Sequence, residues 1–186
     1  MHTLSLRSTG PDDTRAIAGA LAAHLVAGDL VALSGELGAG KTAFVQGAAR
    51  ALGVRARVTS PSFVLVKSYR DGRLPVIHAD VYRLGTLQDV LELGDEVLDP
   101  TGVTFVEWAD AIGALLPDDR VEVEVGLAEV EAPDGDRVLT VRTCGRTRER
   151  AVAMADACSP WRERPSVTEP ALEQGSESEQ VREGRD

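Results

Sequence analysis

The amino-acid sequence predicts an α/β fold in which helices flank a mixed β-sheet. Three observations predict it: a glycine-rich loop lies between a short apolar run and a helical pattern, later segments alternate apolar and polar residues, and the C-terminal residues are charged and contain prolines. We therefore expect one folded domain over residues 1–146 and a charged, proline-containing tail without ordered structure over residues 147–186.

The first part of the chain predicts two helices separated by a buried strand. Residues 14–27 carry apolar side chains at helical spacing, and Gly28 is expected to cap the C-terminus of that helix. The segment DLVALSG is typical of a short buried strand. After the glycine-rich loop, apolar side chains mark one face of a second helix, which we expect to end at Gly53.

The middle of the chain predicts an antiparallel hairpin within an otherwise parallel sheet. The strand-like runs SPSFVLVKSY and LPVIHADVY flank Asp71 and Gly72, a pair that favours a hairpin turn. Further on, Thr86 begins a pattern that resembles a capping box and predicts a helix over LQDVLELGDEVL.

The last third predicts a buried strand, a second hairpin and one more short helix. The segment GVTFVEWA is typical of a buried strand that ends in a carboxylate. RVEVEVGLAEV and RVLTVRT alternate apolar and polar residues, which indicates two hairpin strands with one solvated face. RTRERAVAMADAC is compatible with a short helix, and from Ser159 onward the composition is that of a disordered tail with one aromatic residue, Trp161.

Composition and charge limit the classes of function. The formal net charge is −10, so the chain is a poor candidate for holding nucleic acid alone, because such binding depends on contacts from Lys and Arg to phosphates. Cys144 and Cys158 match no metal-binding spacing and are expected to be reduced thiols. The sequence has neither a run of about 18 apolar residues nor a secretion signal. We therefore expect a cytoplasmic protein without a membrane span.

Residues 35–42, GELGAGKT, satisfy the phosphate-loop pattern G-x-x-x-x-G-K-[ST]. Glycines let backbone N–H groups converge on an anion, and the following helix presents its free N–H groups and positive dipole end to the phosphates. Lys41 is expected to reach the β- and γ-phosphates, and the Thr42 hydroxyl is expected to ligate Mg²⁺. The pattern thus predicts a P-loop nucleotide-binding fold, with nucleotide contacts from Gly35, Glu36, Leu37, Gly38, Ala39, Gly40, Lys41 and Thr42.

Two carboxylates stand at the ends of apolar strands, where a P-loop protein places the second anchor for its Mg²⁺. Asp80 ends VIHAD and Glu107 ends VTFVE, although aspartate is more usual at the latter position. Asp80 has two open roles: it can share the metal through water, or it can orient the attacking water. His78 is expected to be a buried, hydrogen-bonded ring, while Trp108 suits either core packing or sensing of the bound nucleotide.

The nucleotide and the reaction follow in part from what the sequence lacks. A GTPase carries an [NT]-K-x-D motif, which neither lysine of the chain provides, so adenine is the expected base. An LSGGQ-like signature of ABC-type ATPases is also missing. A small-molecule kinase stays open as an alternative, because the RTRER run at 146–150 is a possible arginine-bearing lid, although a solvated charge run explains it as well. A third possibility is a nucleotide-responsive binding module in which hydrolysis is incidental.

Several blocks together resemble the TsaE (YjeE-like) family of P-loop ATPases. The similarity extends over about residues 5–143 and rests on GDLVALSGELGAGKTAFVQGAARALG, VTSPSFVLVKSY, HADVYRL, LELG and FVEWAD, in the family's order. Members of this family act in making threonylcarbamoyladenosine next to the anticodon of tRNA. They hydrolyse ATP slowly alone and dock on a complex of TsaD and TsaB, so the resemblance implies an indirect contact with tRNA.

The resemblance also implies roles for particular residues. It places the Mg²⁺ ligands on Thr42 and Glu107 and a required aspartate on Asp80, so that the expected catalytic residues are Lys41, Asp80 and Glu107. TSPSF at 59–63 corresponds to a switch segment that responds to the nucleotide and meets partners. An arginine that approaches the nucleotide corresponds to Arg137. The implied cofactors are ATP and Mg²⁺.

Overall fold

The computed structural model describes residues 2–84, 99–128 and 135–163. The strands in these ranges are β1 (His2–Ser8), β2 (Leu30–Ser34), β3 (Val66–Tyr69), β4 (Val76–Asp80), β5 (Val103–Glu107), β6 (Val121–Leu127) and β7 (Arg137–Thr143). The α-helices are α1 (Pro11–Ala22), α2 (Lys41–Ala51) and α3 (Ala151–Ala157), and short 3₁₀ helices cover Ala109–Leu115, Gly145–Arg150 and Ser159–Trp161.

The strands form one mixed sheet in the order β1-β7-β6-β2-β5-β4-β3. The four central strands β6, β2, β5 and β4 are parallel, whereas β1 pairs with β7, β7 with β6 and β3 with β4 in antiparallel fashion. The predicted mixed sheet and both predicted hairpins are therefore confirmed. Because parallel strands end at the same edge, the loop after β2 and the last residues of β4 and β5 lie close together.

Helices cover one face of the sheet, and a 3₁₀ helix covers the other. Along β2, Val31 and Leu33 join the core beneath α1, α2 and α3, while Leu30 and Ala32 join a smaller cluster on the opposite face. Both faces of the strand are thus buried, which explains why its sequence is a continuous apolar run. The second cluster packs against the 3₁₀ helix Ala109–Leu115, through Ala109, Ile112 and other residues.

The end of the first helix differs from the prediction. Helix α1 ends at Ala22. The backbone N–H groups of His24 and Leu25 then bond the carbonyls three residues earlier, as in a 3₁₀ turn, so Gly28 is not the cap of the helix. Gly28 instead lies in a later turn with φ of 86° and donates its N–H to the Gly102 carbonyl. Leu25 continues the apolar spacing of the helix and its side chain is buried, but it lies in the turn after α1. Periodicity alone therefore predicts too long a helix.

The first strand of the middle hairpin is shorter than its apolar run. Only Val66–Tyr69 pairs with β4, because the chain turns beforehand: Val64 and Leu65 both donate backbone N–H groups to the Pro61 carbonyl. Leu65 adopts a φ of 63°, which interrupts an extended strand. The segment before β3 is therefore a turn placed over the end of the sheet.

The folded domain extends beyond the expected boundary at residue 146. Helix α3 is the short helix that the sequence indicates, and its Met154 is buried in the main core together with Cys158. Trp161 also packs against that core, Arg162 forms a bridge with Leu6 of β1, and the Glu163 backbone N–H donates to the Ser5 carbonyl. Residues 147–163 therefore belong to the domain rather than to a tail.

A long-range ion pair holds this C-terminal segment. The Arg150 guanidinium donates to both carboxylate oxygens of Asp29, at 2.5 and 2.7 Å, and also to the His24 carbonyl. One arginine of the charged run thus forms an ion pair within the fold, which composition does not reveal.

Both cysteines are free thiols, as expected.

Two segments for which the sequence makes a prediction are not described. The helix predicted over LQDVLELGDEVL and the tail from residue 164 lie outside the described residues. Within the described ranges, no helix is both long and apolar enough to cross a lipid bilayer.

Candidate functional site

The glycine-rich loop connects β2 to α2 at the carboxyl edge of the sheet. Gly35, Gly38 and Gly40 have φ values of 131°, 79° and 116°, which side chains other than glycine rarely adopt. At Gly35 an added Cβ would lie 2.2 Å from the Val125 carbonyl oxygen, so the loop passes directly against β6. At Gly38 nothing lies within 4 Å, and the backbone there faces open space. The loop is thus a tight backbone cradle with one open side.

Lys41 is buried at the first position of α2, inside this cradle. Its Nζ donates to the Gly35 and Glu36 carbonyls at 2.7 and 2.9 Å, and it lies 3.6 Å from the centre of the Trp108 ring. Burial lowers the pKa of the Lys41 ammonium, while the Glu107 and Asp80 carboxylates oppose that shift. The structure therefore places one partly desolvated cation at the base of the loop, where phosphate charge would be expected.

Thr42 and Glu107, the two expected metal ligands, are in direct contact. The Thr42 hydroxyl donates to Glu107 Oε1 at 2.8 Å, although the two residues are far apart in sequence. The same oxygen is 2.8 Å from His78 Nε2, and both His78 and Glu107 are almost fully buried. His78 is thus the buried, hydrogen-bonded ring that the sequence predicts, and it fixes the orientation of the Glu107 carboxylate.

Asp80 lies beside Glu107, because these two residues are register partners at the ends of β4 and β5. Its Oδ2 accepts hydrogen bonds from the hydroxyls of Ser62 at 2.7 Å and Ser60 at 3.3 Å, and its Oδ1 accepts one from the Tyr82 backbone N–H. The two serines belong to the TSPSF segment. The segment implied to be a switch therefore touches the carboxylate that sequence reasoning singled out.

The donor set at this edge suits Mg²⁺. The available groups are the Thr42 hydroxyl and the Glu107 and Asp80 carboxylates, all hard oxygen ligands. Within the described ranges, no group of three or more His, Cys, Asp or Glu side chains could hold a metal ion unaided. Such a site fits a metal that protein oxygens hold together with phosphate oxygens, which is how Mg²⁺ is commonly bound.

Aromatic side chains close the site on one side. The Trp108 ring contacts both Lys41 and Tyr82, and the centres of the Trp108 and Tyr82 rings are 4.7 Å apart. Trp108 has a φ of 63°, an unusual backbone conformation for a bulky residue and one often found at functional sites. Trp108 is also partly buried against the smaller core cluster, so packing and contact with the site's lysine are combined in one residue.

Two cavities flank the loop. One, of about 420 Å³, contains the predicted metal ligands and Asp80. The other, of about 370 Å³, lies between the loop and the end of the second hairpin, and Arg137 lines it. The first cavity is lined by Leu37, Gly38, Gly40, Lys41, Thr42, Ser60, Ser62, Asp80, Tyr82, Arg83, Glu107 and Trp108.

The structure thus brings Lys41, Thr42, Asp80 and Glu107 together and places Arg137 in the neighbouring cavity, near Glu36, Leu37 and Ala39. The Arg137 guanidinium donates to the Asp136 carbonyl.

Sequence reasoning missed the direct serine contacts to Asp80, because the serines lie about 20 residues earlier and no spacing rule joins them to it.

The arginine run at 146–150 lies at the wrong edge of the sheet to act as a lid. Arg146 pairs with Asp119, which precedes β6, and Arg150 pairs with Asp29, which precedes β2. Both partners are at the amino ends of parallel strands, whereas the glycine-rich loop is at the carboxyl ends. This placement removes the feature that favoured a small-molecule kinase.

Comparison with known proteins identifies the family. The model of the family described as threonylcarbamoyl adenosine biosynthesis protein TsaE matches residues 8–134. The chain is 40% identical to the tRNA threonylcarbamoyladenosine biosynthesis protein TsaE of Bacillus subtilis over 149 residues, which is 80% of this chain and 91% of that protein. It is 43% identical to the protein of the same name from Streptomyces coelicolor, over 67% of this chain and 86% of that one.

A solved structure agrees with these relatives. The crystal structure of Bacillus subtilis YdiB superimposes with a TM-score of 0.68 and 36% sequence identity, covering 83% of this chain and 95% of that chain. The fold, the matched residues and the relatives lead to one conclusion. This chain belongs to the TsaE family of tRNA threonylcarbamoyladenosine biosynthesis proteins.

Proposed function

We propose that this protein binds ATP with Mg²⁺ at the glycine-rich loop, hydrolyses the ATP slowly by itself, and uses it in the modification of tRNA next to the anticodon. The observation that carries the proposal is the contact of Thr42 with Glu107 directly beside the buried ammonium of Lys41. A hydroxyl, a carboxylate and a cation in this arrangement match the needs of a nucleotide phosphate and its metal.

Each residue then has a distinct role. The loop backbone and Lys41 bind the phosphates, and Lys41 stabilises the charge that develops on the transferring phosphoryl group. Thr42 and Glu107 would hold Mg²⁺, which supplies further positive charge when bound. Asp80 orients the attacking water or accepts its proton, and the hydrogen bonds from Ser60 and Ser62 restrict its carboxylate. Arg137 borders the neighbouring cavity, which supports a contact with a different part of the nucleotide.

The base is inferred to be adenine, because the chain has no guanine-reading [NT]-K-x-D motif. The proposal also includes partners: a TsaD-like protein, a TsaB-like protein and, through them, tRNA in the cytoplasm. The net charge of −10 is compatible with such a division of labour, in which the partners and not this chain hold the nucleic acid.

Exposed apolar side chains around the site support a partner-dependent activity. Leu37 and Phe63 are 89% and 88% exposed, and Tyr82 is 66% exposed, although all three border the cavity or the adjoining serine segment. Apolar surface that rims a site is typical of a docking surface. An ATPase whose site is completed by a partner would be slow by itself.

Steady-state ATP turnover, with and without a TsaD–TsaB pair, tests the proposal against the kinase alternative. We expect slow turnover of the isolated protein and stimulation by the pair. A parallel incubation with a panel of acceptor metabolites is expected to yield no phosphorylated product. Phosphorylation of one acceptor, together with turnover that the pair does not change, would contradict the proposal.

A further inference from the structure

Lys67 occupies an unusual position outside the phosphate site. It lies on β3, the edge strand of the sheet, directly opposite His78 in the hairpin register. It is one of two lysines in a chain with 18 arginines, and the other is the phosphate-loop lysine. Because the chain favours arginine so strongly, a second lysine is notable.

Three oxygen atoms converge on the Lys67 ammonium, and all belong to the start of the TSPSF segment. Nζ donates to Thr59 Oγ1 at 2.7 Å, to the Ser60 carbonyl at 3.0 Å and to the Thr59 carbonyl at 3.5 Å. From the same strand, the Tyr69 hydroxyl accepts a hydrogen bond from the Thr59 backbone N–H at 3.3 Å. Two side chains of β3 therefore tie the segment to the sheet.

The chemistry of the contact favours lysine over arginine. A compact ammonium can direct three donors at oxygens that surround one point, whereas a planar guanidinium directs its donors along a rigid fork. Of the three accepting oxygens, one is a hydroxyl and two are backbone carbonyls, so the contact does not depend on a carboxylate partner. The arrangement of these three oxygens therefore favours lysine over arginine at position 67.

The contacts of Lys67 with Thr59 and Ser60, called the tether below, connect β3 to Asp80 through the TSPSF segment. Ser60 and Ser62, which follow Thr59, donate to Asp80 Oδ2, and Asp80 stands beside Glu107. A displacement of Thr59 and Ser60 from β3 would carry both serine hydroxyls away from the carboxylate. The serine hydrogen bonds to Asp80 are therefore linked to the ammonium of Lys67 through the segment that carries the serines.

We propose that Lys67 is a positioning residue: its ammonium holds the TSPSF segment on the edge strand so that Ser60 and Ser62 orient the carboxylate of Asp80. The inference rests on the proposed function for its effect on ATP hydrolysis, whereas its effect on the segment is independent of any nucleotide. The phosphate-binding groups lie in the loop after β2 and at the start of α2, so nucleotide binding is expected to survive the loss of the tether.

The test compares Lys67→Met with Thr59→Val and with a control, Ser68→Ala. Met keeps the length of the lysine stem without its charge, and Val keeps the shape of threonine without its hydroxyl. Ser68 is an exposed neighbour on β3, and among the described residues it has no side-chain hydrogen bond to the segment. Hydrogen exchange of the nucleotide-free protein, read on the peptide around residues 59–66, reports the tether directly.

We expect Lys67→Met to accelerate exchange of that peptide roughly tenfold or more, because hydrogen bonds to a charged group contribute enough stability to slow local opening by about that factor. It should lower kcat for ATP hydrolysis by about tenfold while KM changes by less than about twofold, because orientation and not binding is lost. Thr59→Val should act in the same direction, and the double variant should be no worse than Lys67→Met. Ser68→Ala should match the wild type in both measurements.

Unchanged exchange in Lys67→Met would overturn the tether, and faster exchange with an unchanged kcat would overturn the positioning role. A rise in KM at constant kcat would also contradict it, because the lysine would then act on binding. If the wild type does not hydrolyse ATP, the proposed function fails, and the exchange measurement still decides whether Lys67 holds the segment.

Discussion

Substituting Gly35 by alanine tests the conformation of the phosphate loop most sharply, because a matched control lies three residues away. Gly35 and Gly38 both have positive φ, so alanine at either position meets backbone strain, which is at least as large at Gly35, with a φ of 131°, as at Gly38, with a φ of 79°. They differ in surroundings. A Cβ on Gly35 would lie 2.2 Å from the Val125 carbonyl oxygen, whereas a Cβ on Gly38 would have no neighbour within 4 Å.

The magnitude follows from these two terms. A left-handed backbone costs an alanine about 1–2 kcal/mol, which is the whole expected loss for Gly38→Ala. Gly35→Ala adds a collision with backbone, and overpacking in a well-packed region costs roughly a further 1–3 kcal/mol. Relief is restricted, because β6 is paired on both sides, with β2 and β7. We therefore expect a total loss of about 2–5 kcal/mol for Gly35→Ala.

Urea unfolding of both variants without nucleotide, followed by tryptophan fluorescence or circular dichroism, provides the measurement. The midpoint should fall further for Gly35→Ala than for Gly38→Ala at an unchanged dependence on urea. Free energies of unfolding that agree within about 0.5 kcal/mol would refute the reasoning, because both the collision and the backbone conformation should make Gly35→Ala the more costly change.

Three other predictions concern the C-terminal segment and the metal site. Arg150→Met should destabilise the fold by about 3 kcal/mol, because it removes the cation that neutralises the buried Asp29 carboxylate, whereas Arg148→Met at an exposed position should be nearly neutral in thermal unfolding. Burial raises the pKa of the Cys158 thiol to about 11, so the free energy of unfolding should fall as pH rises from about 9 to 11. Cys158→Ala should remove that part of the pH dependence. Glu107→Ala should raise the Mg²⁺ concentration needed for ATP hydrolysis at least about tenfold, and an unchanged metal titration would contradict its role.

The sign of the Cys158 effect follows from which state binds the proton. The folded protein keeps the thiol protonated to a higher pH than the unfolded chain does, because burial penalises the thiolate. The corresponding stability is complete below the ordinary pKa of a thiol and is lost as the pH approaches about 11. Stability that stays constant over this range would indicate that Cys158 is accessible to water.

The part of the site that sequence reasoning finds is the part built from local pattern. The glycine spacing and the flanking strand and helix identify the loop, and Asp80 and Glu107 are recognisable because each ends an apolar strand. Parallel strands that end at one edge then bring them together without any further information. The antiparallel pairing of β3 with β4 was also predictable, since Asp71 and Gly72 favour a turn.

The parts that sequence reasoning misses depend on contacts between distant residues. Arg150 belongs to a run that resembles a solvated tail, and only its pairing with Asp29, 121 positions earlier, makes it part of the domain. Lys67 lies in the block VTSPSFVLVKSY, but no rule of local spacing assigns it a role, and its contact depends on a turn that brings Thr59 back onto β3. No periodicity encodes either contact: the sequence pattern predicts a strand around Lys67 but not its partners, and composition assigns the segment around Arg150 to a solvated tail.

The central claim is that ATP turnover at this loop serves tRNA modification. Reconstitution with a TsaD-like protein, a TsaB-like protein, tRNA, ATP and a threonylcarbamoyl donor tests it most directly, with wild type compared with Lys41→Ala over many cycles. We predict sustained formation of threonylcarbamoyladenosine with the wild type and loss of it with Lys41→Ala, while circular dichroism shows that the variant remains folded. Equal yields from the folded variant and the wild type would contradict the claim.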